Sequence, residues 1–381
     1  MRIPAASRVE SNPCCSLRFR SESKTRVNLQ VSAGNLNQML AFKGVKMMAV
    51  RNVRLASTVV ECAREAVKTL PYKNAVKFCG EKEHFNYTQF LDKIRMLSNG
   101  FYELGMKPGD SVLTWTDNRS ETLASFYACA MTGLRCVTVD PSIKEADVLV
   151  DILREVNPST VIYNPSAKKD AREGVLCELV PELAKAERAV VQEPVHSRSF
   201  PKLRTVCSTS WEHSAVDGVL NFRALLVDKT YPDLVAEVSK RLEKEPETVL
   251  LRSYAYSEGK VWKSRDITQK QVSDWAARVA AKLELTADSV VCLDLPLFLP
   301  LSLVSAVACM QKNAMLVVPA AERCYASTLE KVGKENATQI VTSEQNAALL
   351  KHEAPATLKM GLYPTECGVC KPMTGLKTVS F

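Results

Sequence analysis

The chain has 381 residues, of which 46% are hydrophobic and 24% are charged, and this composition is typical of a globular protein with one large or two medium domains. It excludes wholesale disorder, and the sequence contains no apolar run of about 18 residues that would predict a membrane-spanning helix. The net charge of +8 comes from residues 1–60, which leave 40 basic and 40 acidic residues in the rest, so we predict no nucleic-acid partner.

Residues 1–60 are predicted to form a basic N-terminal tail without a packed core. From Met47 the sequence MMAVRNVRLASTVV carries arginines and no acid, and its apolar residues fall on one helical face. This pattern is typical of a mitochondrial targeting segment. We therefore predict a mitochondrial location, with translation starting at Met1, Met47 or Met48. A basic tail without targeting function, in a cytoplasmic protein, is the alternative.

Predicted strands and helices alternate through residues 61–165. Strands are predicted at 75–79, 111–115, 136–139 and 160–163. Residues 85–90 are predicted to lead into a helix that continues through Leu97 and Tyr102, and further helices are predicted at 120–131 and 145–155. Gly105 is placed to end the first helix in the left-handed conformation, and Gly133 follows the second helix. This alternation predicts an α/β fold with largely parallel sheets flanked by helices.

The central stretch runs from a β-type segment at 248–251, through a predicted polar loop at 254–263, to an amphipathic helix around 275–283. This order is the setting of a phosphate-binding loop, in which backbone N–H groups approach an anion without an intervening Cβ. The loop nevertheless holds a single glycine, bulky aromatic residues and the carboxylate of Glu258. Its position favours a phosphate site, and its chemistry argues against one.

An ordered set of residues resembles the N-terminal region of the adenylate-forming superfamily, which includes acyl-CoA synthetases, luciferases and peptide-synthetase adenylation domains. The matching residues are Tyr87, Leu104-Gly105, Pro108-Gly109-Asp110, Asn118, Glu121, Gly133 and Asp140-Pro141. Residues 294–298 resemble the Leu-Pro-Leu-Phe-His segment of the family, with Leu299 where the His would stand. The resemblance implies that residues 61–381 are a truncated AMP-binding domain, the N-terminal part of the large domain. The small C-terminal domain, with its catalytic Lys, would lie past Phe381 and is predicted to be absent.

The resemblance also identifies the candidate site. The family binds ATP phosphates with a Thr-Ser-Gly-Thr-Thr-Gly-x-Pro-Lys-Gly loop, of which only Lys263 is retained in register. The residues predicted to contact a nucleotide, if this degenerate loop binds one, are Ser257, Gly259, Lys260 and Lys263. Alternatively, Lys260 and Lys263 are solvated lysines of the loop that contact no nucleotide. We expect no cofactor, with ATP and Mg²⁺ as the minority alternative.

No catalytic residue and no metal ligand is predicted elsewhere. Cys367 and Cys370 form the only CxxC pair, without a second pair or a nearby His, and the four histidines lack the spacing of a zinc site.

The leading hypothesis is a catalytically inactive acyl-CoA-synthetase-like protein that acts as a structural or accessory subunit of a larger mitochondrial assembly. A truncated large domain would expose apolar surface, and we therefore expect a protein partner that covers it. One alternative is a divergent acyl-CoA ligase, or an acyl-adenylate- or ATP-binding protein, that requires a partner chain. Another is a fragment without a stable fold.

Overall fold

The computed structural model describes residues 58–165, 171–186 and 194–381, apart from residues 213, 215, 230, 323, 367 and 372. The segment before residue 58, which holds most of the predicted basic tail, and Cys367 of the CxxC pair lie outside the described residues.

The first half of the described chain alternates strands and helices as predicted. In order it contains α1 (Val59–Thr69), β1 (Asn74–Phe78), β2 (Glu83–Asn86), α2 (Tyr87–Glu103), β3 (Ser111–Trp115), α3 (Ser120–Thr132), β4 (Arg135–Val139), α4 (Ala146–Val156), β5 (Thr160–Tyr163) and α5 (Ala171–Leu179). It continues with β6 (Thr205–Ser208), β7 (Leu220–Asn221), a short 3-10 helix (Phe222–Leu225) and α6 (Pro232–Lys244).

The second half begins with β8 (Val249–Ser257), β9 (Lys260–Lys263), β10 (Ile267–Thr268) and α7 (Gln269–Lys282). It continues with β11 (Val290–Leu293), α8 (Pro300–Lys312), β12 (Met315–Val318), α9 (Tyr325–Lys334), β13 (Gln339–Val341), α10 (Glu344–Glu353), β14 (Met360–Pro364) and β15 (Leu376–Ser380).

The strands form two sheets. The first has the order β15-β14-β13-β11-β12-β1-β2, in which only the edge strands β2 and β15 run antiparallel to their neighbours. The second has the order β10-β8-β4-β3-β5-β6-β7; β9 also pairs with β8, and β9 and β10 are its antiparallel members. The prediction of largely parallel sheets is confirmed.

Local signals explain where the helices begin and end. Asn86 caps α2 through a reciprocal pair of hydrogen bonds with Gln89, and Thr268 caps α7 in the same way with Gln271. Gly105 has a φ of 68° just after α2, which confirms the predicted left-handed end of that helix.

The core extends over both faces of each sheet. Helices α3 and α8 are buried along almost their whole length, and they share one apolar cluster with α1, α2, α7 and residues of both sheets. Helices α4 and α5 pack on the other face of the second sheet. The central parallel strands β3, β4, β5, β11 and β12 are covered on both faces, and almost all of their residues are buried, as expected for parallel sheets.

Candidate functional site

Residues 254–263 form a β-hairpin, so the prediction of a polar loop between strand and helix was wrong for this segment. Strand β8 continues to Ser257, the chain turns at Glu258 and Gly259 with φ values of 53° and 71°, and β9 returns with Lys260 paired to Ser257. A two-residue turn with both residues at positive φ matches the twist of its flanking strands. The sequence signal for it was the Glu-Gly pair between β-forming Tyr, Val and Trp residues.

The hairpin does not bring the four predicted nucleotide-contacting residues together. Ser257, Gly259 and Lys260 lie exposed at its tip, whereas Lys263 lies at its base. Because side chains alternate along a strand, Lys260 and Lys263 leave opposite faces of β9, about 10 Å apart along the chain.

Lys263 is held by an ion pair. Its Nζ lies 2.8 Å from Glu155 Oε1 near the end of α4, and the same oxygen lies 3.2 Å from Nη1 of Arg252. The hydrogen bond to Glu155 raises the pKa of the Lys263 ammonium. The one lysine that matches the family loop in register therefore interacts with a carboxylate of its own chain.

A second carboxylate lies along the opposite edge of the hairpin. The Tyr256 N–H points away from β9 and donates to Asp140 Oδ2 at 3.1 Å, while Ser142 N–H donates to Asp140 Oδ1 at 2.9 Å. Asp140 is only 8% exposed. A phosphate approaching the Tyr256 amide would meet this carboxylate, which is electrostatically unfavourable.

A network of buried polar groups closes the carboxyl end of the second sheet, the edge at which open α/β sheets bind ligands. Arg172 donates to the backbone carbonyl and the side-chain Oδ1 of Asn164, at 3.0 and 2.6 Å, and to Asp117 Oδ1 and the Pro141 carbonyl, at 3.0 and 3.1 Å. Asn164 in turn donates to Asp117 Oδ2 at 2.6 Å. These polar groups satisfy one another.

Asp294 closes the corresponding end of the first sheet. Its carboxylate is almost fully buried and accepts hydrogen bonds from Thr328 at 2.6 Å, Thr342 at 2.5 Å and Asn346 at 2.7 Å. Donors from α9, from α10 and from the residue after β13 thus converge on this carboxylate. Its oxygens are therefore occupied by hydrogen bonds within the fold.

Thr138 connects the two sheets beside the hairpin. Its hydroxyl donates to the Phe298 carbonyl at 2.7 Å and lies 2.7 Å from Ser253 Oγ of β8. The next residue, Leu299, lies with its Cδ1 3.9 Å from where a Cβ on Gly368 would be. Where the family has a His, this chain therefore has an apolar side chain, which packs against the main apolar cluster.

An acidic cluster at the start of α3 gives a pH-dependent contribution to stability. Burial, followed by the nearby charge of Glu121, raises the pKa of Glu81 to about 7, although its carboxylate accepts hydrogen bonds from Arg119 and from the Ser120 N–H. A raised pKa in the folded state means that the protonated form stabilises the protein at low pH. This stability is lost as the pH rises through about 7.

We therefore expect Glu81→Gln to reduce the loss of stability between pH 5 and pH 8 by an amount on the order of 2 kcal/mol. The measurement is the melting temperature at the two pH values for the wild type and the variant. Glu258→Gln, which changes an exposed carboxylate, is the matched control. Equal pH dependence in wild type and Glu81→Gln would contradict the prediction.

Within the described residues, no group of three or more His, Cys, Asp or Glu side chains is arranged to hold a metal ion. Across the same part of the chain, no helix is both long and apolar enough to cross a membrane.

Residues 63–236 match the AMP-binding enzyme family. YngI of Bacillus subtilis, named as an acyl-CoA synthetase, is 25% identical over 285 residues, which are 74% of this chain and 50% of that protein. The mitochondrial medium-chain acyl-CoA ligase ACSF2 of Rattus norvegicus is 26% identical over 151 residues, which are 40% of this chain and 24% of that one. The chain thus spans half or less of the length of these two relatives.

Solved structures with the same fold support this match. A Rhodopseudomonas palustris protein named as a long-chain-fatty-acid CoA ligase superposes with a TM-score of 0.61 at 18% identity, over 79% of this chain and 67% of that one. The N-terminal domain of FACL13 from Mycobacterium tuberculosis gives a TM-score of 0.59 at 14% identity, over 81% and 70%. The chain therefore matches the AMP-binding enzyme family over residues 63–236 and shares the fold of these ligase structures.

Proposed function

We propose that this chain is a catalytically inactive acyl-CoA-synthetase-like protein that serves as a structural or accessory subunit of a larger mitochondrial assembly. The observation that carries the proposal is the β8–β9 hairpin, the segment that the resemblance aligns with the phosphate-binding loop of the family. Its turn holds the carboxylate of Glu258, and Asp140 accepts the hydrogen bond of the Tyr256 amide.

The chemistry of adenylation supports this interpretation. Joining a carboxylate to the α-phosphate of ATP requires donors and a metal ion that neutralise developing negative charge. Here Lys263 is paired with Glu155, and Lys260 leaves the other face of the strand. The carboxylate of Glu258 adds a negative charge at the turn of the hairpin. ATP binding at the hairpin is therefore disfavoured.

The proposed accessory role rests on a protein that retains the fold of the family while its hairpin disfavours the chemistry of adenylation. The core is extensive, and Arg172 and Asp294 are hydrogen-bonded at the carboxyl ends of the two sheets, so the protein can serve as a stable body for other chains to bind. Large apolar side chains remain exposed, among them Tyr72, Trp211 and Trp262. The ACSF2 relatives are named as mitochondrial, and with the basic segment from Met47 this supports a mitochondrial location.

Titration of ATP–Mg²⁺ into the purified full chain tests whether the protein binds the nucleotide that adenylation requires. We expect no heat of binding and no rise in melting temperature. A ligand at about 100 times its Kd would stabilise the native state by about 2.7 kcal/mol, which a melting curve resolves. Lys263→Ala should behave as the wild type does. Micromolar binding that Lys263→Ala abolishes would instead establish the alternative, a divergent acyl-CoA ligase or ATP-binding protein.

Native electrophoresis of mitochondria that contain a tagged full chain tests the accessory role in the same programme. We expect the protein to migrate in a complex well above its own 42.1 kDa. Migration as a lone monomer, or recovery in the cytosol alone, would contradict the proposal.

A further inference from the structure

Strand β9 presents a free edge at one side of the second sheet. In its antiparallel pairing with β8, the hydrogen-bonded pairs are 257 with 260 and 255 with 262, continued by the Ser264 N–H that donates to the Ser253 carbonyl at 2.9 Å. The N–H and C=O groups of Val261 and Lys263 consequently point outward. No backbone strand of the described residues pairs with this edge.

The side chains of β9 are also exposed. Val261 and Trp262 are 40% and 43% exposed, and a lysine flanks them on each side. A free edge with two apolar side chains favours pairing with another strand, while flanking lysines oppose pairing with a strand that carries no compensating charge. An extended segment with negative charge meets both conditions.

A basic cavity of about 370 Å³ lies where β9 ends. Cys370 Sγ donates a hydrogen bond to the Lys263 carbonyl at 3.7 Å, which places Cys370 against the end of the strand. The described residues that line the cavity are Arg265, Trp275, Arg278, Cys370, Lys371, Met373 and Thr374. Three are cations and none is acidic.

Arg265 and Arg278 are exposed, and among the described residues neither has an ion-pair partner. Lys371 contacts Glu366 at 3.2 Å, but this pair is largely exposed and contributes little. The cavity therefore offers two guanidinium groups, each able to bind a carboxylate through two parallel hydrogen bonds.

We propose that a partner protein binds this surface with an acidic, extended segment that adds as a strand to β9 and directs its carboxylates to Arg265 and Arg278. The inference rests on the proposed accessory function and specifies the chemistry of the partner. Main-chain hydrogen bonds to the N–H and C=O of Val261 and to the N–H of Lys263 would supply affinity, and the charge of the cavity would select an acidic segment over a neutral or basic one.

The test uses the full chain and a fluorescent peptide of eight alternating Glu and Val residues, capped at both ends, with fluorescence anisotropy as the readout. We expect saturable binding that weakens as salt is added. The double variant R265E/R278E should bind at least about tenfold more weakly. K202E/K240E, which makes the same charge change at exposed lysines of the loop before β6 and of α6, should bind as the wild type does.

Strand addition is tested separately at Val261. Proline there removes an N–H that faces outward and takes no part in the pairing with β8, so the hairpin and the melting temperature should be preserved. We expect Val261→Pro to abolish peptide binding and Val261→Thr, which keeps the N–H, to retain it. Equal binding by wild type and either Val261→Pro or R265E/R278E would overturn the inference.

Two further outcomes would also overturn it. One is the absence of peptide binding by the wild type, and the other is equally tight binding of a thymidine oligonucleotide with the same charge. ATP–Mg²⁺ titration of the same preparations keeps the two proposals apart. Failure of the proposed function would be evident as nucleotide binding, and failure of this inference would be evident as a peptide that does not bind.

Discussion

Replacing Gly100 with alanine is expected to destabilise the protein by about 3 kcal/mol, although the same change inside an exposed helix is stabilising by about 1 kcal/mol. Gly100 lies within α2, where the 3-10 helix at Phe222–Leu225 packs against it. A Cβ at this position would lie 1.9 Å from the Leu225 carbonyl oxygen and 3.0 Å from the Leu225 Cα. These are backbone atoms, so only a shift of the whole 3-10 helix could relieve the clash.

Gly174 provides the matched control for this substitution. It lies within α5, it is exposed, and a Cβ there would have no neighbour within 4 Å. We expect Gly174→Ala to stabilise the protein by about 0.5 to 1 kcal/mol, because alanine restricts the unfolded chain without a clash. Melting temperatures of the two variants measure the difference. If Gly100→Ala melts at or above the wild-type temperature, the close packing of α2 on Leu225 is incorrect.

Replacing Arg172 with methionine is expected to cost about 3 to 5 kcal/mol, the effect of removing one partner from a buried ion pair. The guanidinium satisfies the carboxylate of Asp117 together with oxygens of Asn164 and Pro141. Methionine keeps much of the side-chain volume but leaves these acceptors without a donor. Chemical denaturation measures the loss, provided that the m-values of variant and wild type agree.

Two comparisons separate a role in stability from a role in ligand binding. Lys334→Met removes the exposed pair with Glu330 and should leave the stability almost unchanged. The double variant Arg172→Met/Asp117→Asn should recover part of the loss, because it no longer leaves a negative charge unpaired. An Arg172→Met protein as stable as the wild type would mean that this arginine is not committed to the fold, and the carboxyl end of the sheet would then be open to a ligand.

The elements that could be predicted from the sequence are those with local signals. Strand β5 was predicted at residues 160–163 and is found there, and α3 ends at Gly133, whose φ is 71°. Each of these boundaries depends on residues next to one another in the chain. Strand periodicity and helix caps therefore suffice to identify the alternating α/β pattern.

The candidate site could not be predicted in the same way. Alignment on Lys263 favoured a loop, although the Glu258-Gly259 pair was a local signal for a hairpin. Had residues 260–263 been identified as a strand, the opposite directions of Lys260 and Lys263 would have followed from the alternation of side chains. The ion pair of Lys263 with Glu155 spans 108 residues, and no local pattern predicts a contact at that distance in sequence.

The order of strands in the first sheet determines when the protein can fold during synthesis. Strand β1 pairs with β12, so Val76 cannot pair with Leu316 until residue 316 has been synthesised. At ribosomal rates of about 5 to 20 residues per second, that interval is roughly ten to fifty seconds. During it, the β1–β2 hairpin presents an unpaired apolar edge, while the second sheet, made entirely of strands from the intervening sequence, can already assemble. The nascent chain should therefore depend on a chaperone that shields this hairpin until the ribosome has delivered β11 and β12.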